Sequence, residues 1–391
     1  MNAAEGDPAP LDVCFNAAPL LGPKTGIGQY CLQLMSAMQH QAGIRPHYFY
    51  QWNWSNELLV RPPIDGDYTQ GVLRRLAEQI PSIAYSIRYE LRSVIFSQQA
   101  HKYAKAVYHE PNFLTLKTRL PTVVTVHDLS ILRYPETHPD YRVAVMSKRI
   151  GESALRADCV ITDSEYVRRE VIEVFGLPED RVVAVSLAAA KNFLPVAEDV
   201  VSAGLHEHGL QAGKYVLAVG TLEPRKNLST AVQAYARLPD SVRQEIPFVI
   251  VGMKGWRTED FDRKVGEMVD AGQIRRLGYV SDEMLPVLYS GARVFVYPSL
   301  YEGFGLPPLE AMACGAPVIV SDRSSLPEVV GDAGLQVDAL DVDALTAAML
   351  AIIEDDSLCA SLRRKGIARA ASFSWRRCAE QTAEVYRRVA S

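Results

Sequence analysis

The stretch RVFVYPSLYEGFGLPPLEAMACGAPVIVSD, Arg293 to Asp322, decides the fold. RVFVYPS reads as a strand, Tyr301-Glu302-Gly303-Phe304-Gly305 as a loop, LEAMAC as a helix and APVIVSD as a second strand. Pro307 or Pro308 suits the first helical turn, where no amide hydrogen is needed. Two glutamates, Glu302 and Glu310, flank the turn with seven residues between them.

The same alternation of apolar runs with amphipathic stretches extends in both directions and predicts α/β architecture with mostly parallel strands. Upstream, LDVCF reads as a strand, NAAPLLGPKTG as a loop and IGQYCLQLMSAM as a helix. TVVTV (Thr122–Val126) is a strand that stops at His127-Asp128, and DCVITDS is a strand followed by the helix EYVRREVIEVFG. A new series opens near Lys214 with YVLAVG, FVIVG and IRRLGYV. The 391 residues exceed the ~250–300 at which single cores usually divide, so two doubly wound domains are expected. The polar stretch Leu194–Gly213 reads as the connector and SFSWRRCAEQTAEVYRRVAS as a closing amphipathic helix. The expected boundaries are 1–195, a linker 196–213, 214–374 and a final helix 375–391. Two such sheets facing across a cleft would bind ligands outside the carboxyl ends of their strands.

Hydrophobic residues make up 48% of the chain, enough for sizeable cores, and the formal net charge of −5 argues against nucleic-acid binding. The six cysteines show no CxxC or Cys/His ligand spacing, so neither a zinc site nor a disulfide framework is expected. MNAAEGDPAPLDV lacks the pattern of a signal peptide. No apolar run approaches the ~20 residues of a membrane span. The expectation is a cytoplasmic protein.

Chemistry is concentrated at strand ends. Free amides at a helix start, with glycines that permit close approach, suit a phosphate. Glu310, one turn into that helix, suits a vicinal diol such as a ribose, and Glu302 would face whatever lies beyond the phosphates. In VGTLEPRKN (Val219–Asn227), Arg225 and Lys226 stand in a strand-to-helix loop, where adjacent cations suit a diphosphate leaving group. His127 and Asp128 end a strand of the first half. GPKTGIG (Gly22–Gly28) is a weaker, glycine-rich signal that also resembles the cofactor loop of short-chain dehydrogenases. No tyrosine is followed by lysine four positions on, which removes that rival. A glycosidase could use Glu302 and Glu310, but needs neither the glycine-rich helix start nor the Arg-Lys loop. A sugar-nucleotide binder without activity is disfavoured by the presence of both His127 and Glu302.

Together these residues resemble the retaining glycosyltransferases of family 4 (glycosyl transferases group 1), with the GT-B fold. Glu302 and Glu310 match the family's Glu-x7-Glu motif, and VGTLEPRKN, TVVTVHDLSILRYPE, TDSEYVRREVIEVFG and SFSWRRCAEQTAEVYRRV are similar to segments of bacterial O-antigen and polysaccharide mannosyltransferases. The resemblance implies an amino-terminal acceptor-side domain and a carboxyl-terminal nucleotide-sugar domain. It implies that Glu310 holds the ribose, and that Gly303, Phe304, Gly305, Leu306, Arg225 and Lys226 hold the diphosphate. Glu302 would contact the sugar, His127 would sit near the anomeric centre with Asp128 beside it, Gly26 and Gly28 would border the diphosphate, and Val280 after Tyr279 would meet the base. Thr221 stands where many relatives carry arginine, and LAAAKNF replaces an Asn-Gly-Val-Asp-like turn.

The implied activity is retaining transfer of a hexose, mannose favoured and GDP-mannose first among donors, to a glycan or lipid-linked oligosaccharide acceptor. UDP-hexoses and deoxysugar donors stay open. No metal is expected: Asp65–Asp67 and Asp341–Asp343 read as solvated turns. The segment from Val72 to Lys105, with Arg74, Arg75, Arg88, Arg92, Lys102 and Lys105, reads either as surface helices or as a basic face meeting an anionic membrane at the cytoplasmic side.

Overall fold

The computed structural model describes residues 9–22, 26–59, 81–253 and 259–391. Asp65–Asp67, Arg74, Arg75 and the middle of the GPKTGIG loop lie outside them. The chain forms two compact units, residues 1–186 with 375–391, and 187–374.

The first unit holds a seven-stranded sheet of β1 (Leu11–Asn16), β2 (Ile44–Tyr50), β3 (Asn53–Ser55), β4 (Val107–Glu110), β5 (Thr122–Val126), β6 (Cys159–Thr162) and β7 (Val182–Ala184), in the order β3-β2-β1-β4-β5-β6-β7. All pairings are parallel except β3 against β2. Every residue of β4, β5 and β6 is buried. Such strands are covered on both faces, which is why they read as unbroken apolar runs rather than alternating ones. The helix Glu165–Phe175 shows local control of boundaries: Ser164 Oγ accepts from Val167 N at 3.3 Å, and Gly176 ends it in the left-handed conformation, φ 62°.

The second unit holds a wholly parallel sheet of β8 (Val216–Val219), β9 (Phe248–Val251), β10 (Ile274–Gly278), β11 (Val294–Tyr297), β12 (Val318–Ser321) and β13 (Leu335–Val337), in the order β10-β9-β8-β11-β12-β13. In each sheet the chain winds to one side from the first strand and then to the other. The switch points, where ligands of such sheets bind, lie at the carboxyl ends of β1 and β4 and of β8 and β11.

The expected linker 196–213 is a correction. It contains the helix Glu198–Glu207, which belongs to the second unit and packs against the helix Met284–Gly291. Val201 and Leu205, at i and i+4, are its buried stripe. Gly204 faces Val287, and Gly291 faces Leu205 and Tyr215 so closely that any side chain there would clash. Two apolar positions in a polar stretch were enough to dock it.

The final helix, Trp375–Ala390, belongs to the first unit and buries Trp375, Cys378, Ala379, Thr382, Ala383, Val385 and Tyr386. All six cysteines are buried and free. Among the described residues no helix is long and apolar enough to cross a membrane.

Candidate active site

In the second unit, β8 runs into Gly220 (φ 150°) and β9 into Gly252 (φ 142°). A Cβ on Gly252 would lie 2.0 Å from the Gly220 carbonyl oxygen. Glycine is thus required there by backbone angle and by space. After Gly220 the chain reaches a 3-10 turn, Pro224–Lys226, closed by Asn227 in the left-handed region (φ 54°, ψ 35°). Asn227 Nδ2 donates to the carbonyls of Pro298 (3.0 Å) and Ala339 (2.6 Å), and Leu300 N donates to Arg225 O at 2.9 Å. These bonds fix the cationic turn against the loop after β11.

The two cations and Glu302 form one cluster. Arg225 Nη1 lies 3.0 Å from Glu302 Oε2 and donates to the Tyr301 carbonyl at 2.5 Å, while Nη2 bonds Glu223 Oε1 at 2.7 Å. Lys226 Nζ donates to Glu302 Oε1 at 2.8 Å and to the Tyr297 hydroxyl at 2.6 Å, and lies 5.0 Å above the Tyr297 ring. The four charged side chains are nearly enclosed, 9–13% exposed. Burial alone would raise the Glu302 pKa, but Arg225 and Lys226 hold it down to about 2. Burial pushes Lys226 below the usual lysine range against the pull of Glu302. The sequence suggested cations free for a diphosphate and a carboxylate free for a sugar. The cluster instead balances two acids against two bases, because unpaired charges could not be buried this deeply.

Above the cluster, the loop enters the helix Leu306–Ala313 through Gly305 (φ 110°, ψ 54°), where a Cβ would meet Leu326 Cδ2 at 2.7 Å. Ser324 Oγ accepts from Glu302 N at 2.9 Å, and the Ser325 hydroxyl lies 2.9 and 2.7 Å from the Glu302 and Phe304 carbonyl oxygens. The two serines pin the loop; in the first helical turn only Leu306 keeps an N–H without an acceptor inside the helix, because Pro307 and Pro308 carry none and Leu309 N donates to Gly305 O at 3.3 Å. Glu310 sits further along this helix, half-buried. Burial and the charge of Asp282 push its pKa up to about 8, with Tyr289 opposing them. Glu310 therefore holds its proton to a higher pH than Glu302 does. Tyr279 is exposed and Val280 half-buried just beyond the end of β10.

In the first unit, β5 delivers His127. Its Nδ1 is 2.8 Å from Asp163 Oδ2 and its Nε2 2.9 Å from the Pro111 carbonyl oxygen. A carbonyl and an ionised Asp163 are both acceptors, an arrangement that favours hydrogen on both ring nitrogens. Burial opposes the charged form of the ring, but Asp163 outweighs it and the pKa ends above the ordinary histidine value. Tyr30 and Phe113 present their rings edge-on, centroids at 4.8 and 5.4 Å. With both nitrogens hydrogen-bonded, His127 has none free to act as a base. Asp128 accepts from Ser130 N at 2.8 Å and shapes the turn after β5. Gly26 opens the helix Gly26–Met38, with nothing within 4 Å of where its Cβ would be, and Gly28 is buried two residues later.

Second-unit residues Arg225, Lys226, Glu302 and the loop 303–306 thus come together, and His127 and Asp128 come together in the first unit. Sequence reading missed Glu223, Tyr297, Ser324, Ser325 and Asp163. Glu223 stands inside VGTLEPRKN and Asp163 inside TDSE, so both were signalled. Nothing local marks Ser324 and Ser325. Of the Asp-x-Asp triplets, Asp341 caps the helix Val342–Glu354 through Ala344 N at 2.9 Å, and Asp343 pairs with Arg237. Among the described residues no cluster of three His, Cys, Asp or Glu could hold a metal.

Residues 207–369 match the family "Glycosyl transferases group 1" and residues 25–188 match "Glycosyltransferase Family 4". The chain is 38% identical over 382 residues to the O-antigen chain mannosyltransferase B of Escherichia coli, covering 96% of this chain and 100% of that protein. It is 32% identical over 278 residues to the serotype-specific mannosyltransferase WbdA of the same species, covering 68% of this chain and 33% of that one. Its fold resembles sucrose-phosphate synthase of Thermosynechococcus elongatus (TM-score 0.73, 24% identity, 98% of this chain and 99% of that one). It also resembles WaaG, a glycosyltransferase involved in lipopolysaccharide biosynthesis (TM-score 0.69, 14% identity, 96% and 99%). The chain belongs to the family 4 glycosyltransferases, with two Rossmann-like units of the GT-B architecture.

Proposed function

We propose that the chain transfers a mannosyl residue, with retention, from a nucleotide sugar to a glycan or lipid-linked oligosaccharide acceptor of a surface polysaccharide. GDP-mannose is the favoured donor. The observation that carries this reading is the Glu302–Arg225–Lys226–Glu223 cluster beneath a pinned helix start. Similarity to an O-antigen mannosyltransferase across nearly the whole chain supports the sugar and the acceptor class.

The donor's diphosphate draws Arg225 and Lys226 partly away from their glutamates and takes the amides of Phe304 to Leu306. As the bond from C1 to the phosphate oxygen breaks, charge grows on the departing nucleoside diphosphate, where these cations stabilise it. The acceptor hydroxyl attacks C1 from the same face, and its proton passes to the departing phosphate oxygen. No separate base is needed, which agrees with a His127 that has no free nitrogen. The positively charged ring at 127 is the first unit's catalytic contribution, and Glu302 orients the sugar. Glu310 takes the ribose hydroxyls after losing its proton, Val280 meets the base, and Gly26, Gly28 and Asp128 border the donor.

A thermal-shift panel of GDP-, UDP- and dTDP-sugars tests the reading: GDP-mannose raises the melting temperature most, and activity persists in EDTA. A larger shift with a UDP-hexose or a deoxysugar nucleotide would transfer the proposal to that donor. Ile87, Leu91 and Val94 are exposed at helical spacing on Pro81–Gln99, with Arg88 beside them. This stripe supports peripheral contact with an anionic membrane; flotation with anionic vesicles is the expected result, and its absence removes that contact.

A further inference from the structure

The switch point of the first sheet carries polar machinery that the transfer reaction above does not use. Asn16 ends β1 and Glu110 ends β4, side by side. Asn16 Nδ2 donates to Glu110 Oε2 at 2.7 Å, and Glu110 also accepts from the Tyr108 hydroxyl at 2.7 Å and from Asn112 N at 3.2 Å. Glu110 is 1% exposed, and its hydrogen-bond donors are all uncharged. Asn16 Oδ1 is thereby turned outward from Glu110. It accepts from Ala18 N at 3.3 Å and from Arg92 Nη2 at 3.2 Å.

Arg92 is the open end of this chain. It projects from the helix Pro81–Gln99 and is half-buried. Among the described residues it forms no ion pair, and its Nε is shielded from solvent with no hydrogen-bond partner. Arg45, Arg133 and Arg168 of the same unit each have a carboxylate: Asp12, Glu170 and Glu165. Glu110 and Arg92 act on each other through their charges across Asn16, but among the described residues no carboxylate reaches the guanidinium, and its unfilled donor stands where doubly wound sheets bind ligands, able to take an anion.

We propose that this switch point is a second ligand site, in which Arg92, oriented by Asn16 and through it by Glu110, grips a phosphate-type oxyanion carried by the acceptor. The planar fork of arginine matches two oxygens of a phosphate, which a lone hydroxyl would not satisfy. The acceptor as the source of the anion rests on the transferase reading; the anion site does not.

The test is a titration of the full chain labelled with nitrogen-15 arginine. The Nε–H resonance of Arg92 is assigned by its loss in Arg92→Lys. If that variant does not fold, Asn16→Ser assigns it by moving the same signal. Geranyl diphosphate is expected to shift the resonance at a concentration at least tenfold below that needed with inorganic phosphate. Equal potency of inorganic phosphate would overturn the acceptor as source. A resonance unmoved by either probe would overturn the site, whether or not the enzyme transfers sugar.

Discussion

Each unit buries a glutamate at its switch point, Glu110 as the last residue of β4 and Glu302 in the loop after β11, and treats it in the opposite way. Glu110, at the switch point of the first sheet, is met by an amide, a phenol and a backbone N–H, and burial pushes its pKa up to about 7. Glu302, at the switch point of the second, is equally enclosed but is met by Arg225 and Lys226 and falls to about 2. Burial opposes the charged form in both, so the partners decide. Two cations held by two acids are a reserve of charge that a ligand bearing several negative charges can draw on. A site of neutral donors with one arginine held by a single neutral oxygen is suited to a more modest one.

The largest effect that can break this comparison is removal of a cation. Lys226→Gln is expected to lower kcat/KM by 10²–10³, as loss of one charge-stabilising donor does, measured by sugar transfer at saturating acceptor. Less than a tenfold loss would mean that the cluster only supports the fold.

The two acids should next separate in stability. Glu302→Gln leaves two buried cations facing one acid and is expected to cost about 3–5 kcal/mol. Glu110→Gln should cost about 1 kcal/mol. The pH dependence has the opposite sign. Glu302 is depressed, so its contribution is present above pH 4.5 and fades toward 2. Glu110 is raised, so its contribution is present below pH 4.5 and is lost as pH climbs through about 7. Glu110→Gln should therefore gain on the wild type between pH 5 and 8 in denaturant melts. A constant gap would show that Glu110 does not titrate there.

Glu310 sharpens the contrast within the second unit. With a pKa near 8 it must shed a proton to accept two ribose hydroxyls. Donor affinity should rise from pH 6 to 8.5, and calorimetry in two buffers should detect proton release at pH 7, absent in Glu310→Gln.

The smallest expected effect lies beneath the first site. Tyr386, His109, Thr125 and Tyr30 form a hydrogen-bonded chain, with contacts of 2.6, 2.8 and 2.9 Å, that ties the final helix to the helix Gly26–Met38. Burial lowers the His109 pKa to about 3, so the chain is neutral. Tyr386→Phe should cost about 1 kcal/mol without altering the pH profile of transfer.

Much of this was legible in the sequence. TVVTV, FVIV, VFVY and VIVS could be read as strands because strands covered on both faces are apolar throughout. Glu302, Arg225 and Lys226 could be read as one site because turn and loop each join a strand end to a helix. That the three would pair with one another, and with Glu223, could not be read, since their distances depend on Asn227, Pro298 and Ala339, far apart in the chain. The helix Glu198–Glu207 was hidden by its polar surroundings, and Asp163 by the 35 residues between it and His127.

The central claim is that the cationic turn of the second unit holds the diphosphate of a nucleotide sugar. Calorimetric titration of the wild type and of Lys226→Gln with the GDP-, UDP- and dTDP-sugar panel tests it directly. The account predicts one tight binder, GDP-mannose, whose affinity drops by about tenfold or more, about 1.4 kcal/mol, in the variant. Binding of none of the panel by the folded wild type, or equal affinity in both proteins, would contradict it.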